Sequence, residues 1–179
     1  PKSKSKPKPK SSTKKKRREM AKPKVPKKYI GSLSKSTADK RKAEIRKRIA
    51  GKKEDKYKPL PGDAKAKTRK SKYTGKVTRS GLRDAILEES QKQKGSQSDR
   101  FVKAVSKVTG VPKSIIDTVM KRGAAAWAIG HRPGATQAQW QRARVYSFLT
   151  GGKTTTTGDA DLYAKAKRAL KDKGSTFKL

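Results

Sequence analysis

A mainly α-helical protein is what this sequence predicts, with a small helical domain at the C-terminus preceded by a long basic arm that carries one short helix. Three observations lead there. From Gly81 onward, apolar residues recur at helical spacing. Capping residues and glycines bracket those runs. Before Gly81 the chain is dominated by lysine and arginine and offers little to bury.

Charge is distributed unevenly. Over its 179 residues the chain carries 51 Lys and Arg against 14 Asp and Glu, a formal net charge of +37. Residues 1–80 hold 32 of those cations and 6 of the carboxylates, so most of the excess lies in the first half. Such a chain repels itself when compact and attracts polyanions or acidic surfaces at long range.

Residues 1–28, PKSKSKPKPKSSTKKKRREMAKPKVPKK, alternate lysine, proline and serine. Burial there cannot offset a backbone entropy cost of about 1–2 kcal/mol per residue, so an extended arm that orders only along a partner is expected. In polyproline II geometry it would reach on the order of 90 Å. Its cluster Lys14, Lys15, Lys16, Arg17 and Arg18 is read as an anion- or partner-binding stretch, against the plainer reading of a solvated charge run.

Residues 29–80 read as a basic helix followed by extended linker. Ser34, Ser36 and Thr37 are candidate caps, good helix formers follow, and Gly51 stops a helix of about 12 residues. Its apolar content is essentially Leu33, Ile45 and Ile49. Arg41, Lys42, Arg46, Lys47 and Arg48 cover the rest, so this helix is expected to dock on another molecule rather than on its own chain. Residues 52–80 show no sustained period and read as linker.

Residues 81–179 predict about five helices. Leu82, Ala85, Ile86 and Leu87 begin the first, which ends near Gly95. Ser98 and Asp99 are cap candidates for a second, carrying Phe101, Val102, Val105 and Val108 to a break at Thr109-Gly110. Pro112 opens a third, with Ile115, Ile116, Val119 and Met120 inward and a small-residue extension to Trp127. Thr136 and Gln139 have capping-box spacing ahead of a fourth, which holds Trp140, Tyr146, Phe148 and Leu149. Asp159 or Asp161 starts the last, through Leu162 and Leu170. The threonines 154–157 read as a loop, because four β-branched residues discourage helix.

Several chemistries are disfavoured by composition. No cysteine is present, and His131 is the single histidine, so thiolate metal sites and sites needing two imidazoles are excluded. Catalysis needs a nucleophile, a base and an orienting group together, and no such constellation is visible. The expectation is a protein that is not an enzyme and uses no cofactor or metal. Trp127, His131, Arg132 and Trp140 frame a corner at Gly130–Gly134 that reads as structural, with ligand contact as the rarer alternative. Residues 105–119 resemble a DNA-reading helix-turn-helix, although a Gly-Val turn between helices also builds ordinary helical domains.

Two strings carry a wider resemblance. KRGAAAWAIGHRPGATQAQWQRARVYSFLT, from Lys121 to Thr150, and YIGSLSKSTADKRKAEIRKRI, from Tyr29 to Ile49, are similar to a family of virion-associated, minor capsid proteins of large icosahedral double-stranded DNA viruses of the algal type. That resemblance implies an address, the virus particle, where the position expected is the inner face of the capsid. It implies as partners the major capsid protein and other minor capsid proteins, with genomic DNA or anionic inner-membrane lipid headgroups beside them. It assigns no catalytic or ligand residues. The function expected is cementing of capsomers by the basic arm and the helical domain, with condensation or tethering of packaged DNA as the alternative.

Overall fold

The computed structural model describes residues 23–51, 57–68 and 71–179. The described residues form seven α-helices, two short 3-10 turns and no strand. The helices are α1 (Lys35–Ile49), α2 (Lys72–Arg79), α3 (Leu82–Lys92), α4 (Gln97–Thr109), α5 (Lys113–Ile129), α6 (Gln137–Leu149) and α7 (Ala160–Asp172).

Local chemistry sets most of the boundaries. Ser34, Ser71, Ser96 and Thr136 each accept a hydrogen bond from the amide three residues on, satisfying a first-turn N–H that has no partner within the helix. At α6 the box is reciprocal, because the Gln139 side chain accepts from the Thr136 amide at 3.0 Å. The α4 cap is thus Ser96, two residues before the pair expected from sequence, since its hydroxyl reaches the Asp99 amide. Gly110 ends α4 with φ +75°, a left-handed conformation cheap only for glycine.

α5 lies at the centre and packs against α1, α4, α6 and α7. α3 pairs with α4, and α2 bridges α3 and α6. The core is a single apolar cluster in which Val77, Val105, Val111, Ile116, Val119, Val145 and Phe148 are fully buried. Each such side chain contributes on the order of 1.5–3 kcal/mol relative to exposure. Phe101 meets Tyr146 edge to face, as Phe148 meets Tyr163, an arrangement that sets the positive ring edge against the negative face.

Three expectations are corrected. Residues 72–79, read as linker, form α2, and its Val77 is fully buried in the common core. The threonine run forms a 3-10 turn at Lys153–Thr156, with Thr155 buried. There the hydroxyls of Thr155, Thr156 and Thr157 donate to the carbonyls of Gly152 and Lys153, so the side chains that disfavour α-helix hold the tighter turn. Finally, α1 packs on its own chain, because its arginines do the burying that its few apolar residues cannot.

Candidate functional site

The basic face of α1 divides into two sets. Arg41 and Arg48 are buried, at 0% and 2% exposure, while Lys42 and Arg46 are half-buried and Lys47 is exposed. From Arg41, Nη1 donates to the Pro61 carbonyl at 2.9 Å and to Asp63 Oδ1 at 2.8 Å, and Nη2 donates to the His131 carbonyl at 2.8 Å. From Arg48, Nε donates to Glu44, Nη1 to the Ala128 carbonyl at 3.0 Å and Nη2 to the Lys58 carbonyl at 2.9 Å. Two residues expected to bind a partner therefore bind the protein itself, one helical face of α1 being consumed in docking on the C-terminal end of α5. Ile45, 2% exposed, fills the space between them and meets Gly130.

Asp63 is the node of this latch. Its carboxylate accepts from Arg41, from His131 Nε2 at 2.8 Å, and from the amides of Leu60 at 2.7 Å and Gly134 at 3.1 Å. Burial alone would raise its pKa; hydrogen bonds from His131 and Arg41, the charge on His131 and the Leu60 amide outweigh it and hold the carboxyl at about 2. His131 is fully buried, stacked on Trp127 at 4.4 Å between ring centroids, and its Nδ1 lies 2.9 Å from the Trp127 carbonyl oxygen. Both ring nitrogens thus lie within hydrogen-bond distance of an oxygen. Trp127 Nε1 donates to the Ala135 carbonyl at 2.7 Å, and Trp140 meets both His131 and Tyr29 edge on. These contacts tie the corner at Gly130–Gly134 to Asp63, which lies in the stretch read as linker.

Outside the latch, cations gather. Lys28 and Lys153 are exposed and Arg132 is half-buried. Partial burial lowers the Lys28 pKa, and Arg132 and Lys153 lower it further by repulsion. Lys28 and Lys153 were not singled out by sequence, since nothing local marks residues 125 positions apart as neighbours. Lys14–Arg18 lie outside the described residues.

Carboxylates, by contrast, are largely committed. Asp159, fully buried, takes a two-point contact from Arg144 at 2.9 Å and 2.9 Å, and Arg122 grips Asp161 at 2.6 Å and 2.8 Å. The Arg122 hydrogen bond holds Asp161 at about 2, against a desolvation effect of the opposite sign. Asp39, Glu88, Glu89 and Asp117 pair with lysines. Among the described residues no three His, Cys, Asp or Glu side chains cluster to hold a metal ion, and no helix is long and apolar enough to cross a membrane.

The helix-turn-helix-like pair exists as α4 and α5. Ile115, Ile116, Val119 and Met120 of its second helix face the core, and Lys113, Ser114 and Lys121 are left on its exposed side. Lys113 is paired there with Asp117 at 2.7 Å. The pair thus builds the centre of the module, with little of α5 free to enter a groove.

No curated protein and no solved structure matches the chain. Residues 26–167 match a family described as a family of unknown function, DUF5824. That span runs from the residue before the first 3-10 turn into α7 and takes in the Asp63 latch as well as the core; the chain belongs to the DUF5824 family.

Proposed function

We propose that this protein is a non-catalytic structural component of a virus particle, a minor capsid protein that lies on the inner side of the shell and cements capsomers through its basic arm and helical module. The observation that carries the reading is the division of charge. The module spends its carboxylates on its own cations, and the lysine- and proline-rich segment ahead of it has almost none to spend. A protein built this way has a folded body that fixes position and a cationic extension that gains many weak contacts over a large area. The likeness of Tyr29–Ile49 and Lys121–Thr150 to virion proteins supplies the setting.

Separation of purified particles into shell and genome-core fractions tests this. Recovery with the shell is expected, and recovery solely with the core overturns the proposal. Tethering of packaged DNA is the second reading, favoured by the cations gathered at Lys28, Arg132 and Lys153. Its test is an electrophoretic shift at roughly 0.2 M salt, where a shifted band is expected and a lane of free DNA alone removes the idea.

A further inference from the structure

A cleft of about 200 Å³ opens between α3, α4 and α6, away from the α1 latch. Arg83, Arg100 and Arg142 line it, one from each helix, over a floor of Ile86, Phe101 and Tyr146. Arg142 lies over the Phe101 ring at 5.3 Å, which fixes its guanidinium plane. Among the described residues no side chain of the three makes an ion pair or a hydrogen bond. The Nε of Arg100 is buried without any partner, an arrangement that costs on the order of 1–3 kcal/mol when nothing accepts from it. Arg41 Nε is likewise buried without a partner, yet the guanidiniums of Arg41, Arg48 and Arg144 each donate to two or more acceptors, whereas among the described residues nothing accepts from the Arg100 guanidinium.

We infer that this cleft is a phosphate-binding site, in which Arg83, Arg100 and Arg142 converge on backbone phosphates of a nucleic acid strand. The size is below the roughly 300–1,000 Å³ of pockets that enclose a whole small-molecule ligand, so the site takes a group projecting from something larger. Three guanidiniums exceed what one carboxylate neutralises, whereas a nucleic acid backbone presents consecutive anions with oxygens that match the fork of each guanidinium. Ser90, Gln91 and Gln97 stand on the lining and supply further donors to phosphate oxygens. Contacts of this kind position a strand without reading its sequence, and they go beyond the cementing role, which requires no such site.

Binding of the full chain to a short random-sequence DNA duplex, measured across a salt series, tests the inference. The variant Arg83→Gln/Arg100→Gln/Arg142→Gln is expected to lose about tenfold in affinity near 0.1 M salt and to flatten the logarithmic salt slope by about 3. A control with equal charge loss at exposed lysines, Lys35→Gln/Lys165→Gln/Lys171→Gln, is expected to lose clearly less. Equal losses in the two variants overturn the site, even though the protein binds DNA. In the unsubstituted protein, the Arg100 side-chain Nε–H resonance is expected to shift on addition of the duplex. An unmoved resonance, or a shift produced by poly-glutamate and not by DNA, also overturns it. None of these outcomes bears on where the protein fractionates in the particle.

Discussion

Asp63 shows how much one carboxylate can carry. Four groups converge on it from three separate stretches of chain, among them the buried Arg41 guanidinium and the buried His131 ring. Asp63→Asn removes the negative charge and leaves Arg41 and His131 facing an amide that must also turn its NH₂ toward donors. A loss of about 3–5 kcal/mol in unfolding free energy is expected by urea titration, the range for removing one member of a buried ion pair. The same residue gives a pH dependence. Its folded pKa, about 2, lies below its ordinary 3.8, so its stabilisation is present above 3.8 and disappears as pH falls through 3.8 toward 2. That amounts to about 2 kcal/mol in the urea midpoint series between pH 5 and 2. The Asp63→Asn protein is expected to lack this component of the acid loss.

Among the elements, helices with a sequence-local cause were legible. The Thr136–Gln139 box, Gly110 and the apolar faces of α4 and α5 announce themselves within a few residues. α1 was legible as a helix and illegible as a docked one. Its buried face is made of arginines, residues that are rarely interior, and apart from Glu44 their acceptors sit 10 to 90 positions away in the sequence. α2 escaped because eight residues with a glycine and one buried valine give too little period to see. Asp63 escaped for the same reason as the arginines, its meaning residing in His131 and Gly134, far along the chain. The role of Ile45 can be measured directly: Ile45→Ala is expected to cost about 2–4 kcal/mol and to speed amide exchange across Lys35–Ile49 more than in α5. The α5–α6 crossing is tighter. A Cβ at Gly123 would lie 3.1 Å from the Gln141 Cα, where backbone, not a flexible side-chain tip, must yield. Alanine gains about 1 kcal/mol in helix propensity, but overpacking typically costs about 1–3 kcal/mol. Gly123→Ala is therefore expected to lower the melting temperature despite being the better helix former.

For the whole molecule the dominant fact is an excess of like charge. A net +37 destabilises a compact state through self-repulsion that falls off over a screening length of about 10 Å at 0.1 M salt. Raising sodium chloride from roughly 0.02 M to 0.5 M is expected to raise the melting temperature, opposite to its effect on affinity for polyanions. The general cationic character and the helical class were readable from composition and period alone. The three-arginine cleft was not, because Arg83, Arg100 and Arg142 are ordinary surface residues in sequence and meet only when α3, α4 and α6 assemble.

The aromatic stack at the corner has an optical consequence. The chain has two tryptophans and one histidine; Trp127 lies flat on the imidazole and Trp140 meets its edge. An imidazole stacked on an indole alters its emission, so the protein contains its own fluorescent gauge of this corner. A change in emission on excitation of tryptophan would report unstacking of the corner after α5 in real time, without a dye or a label.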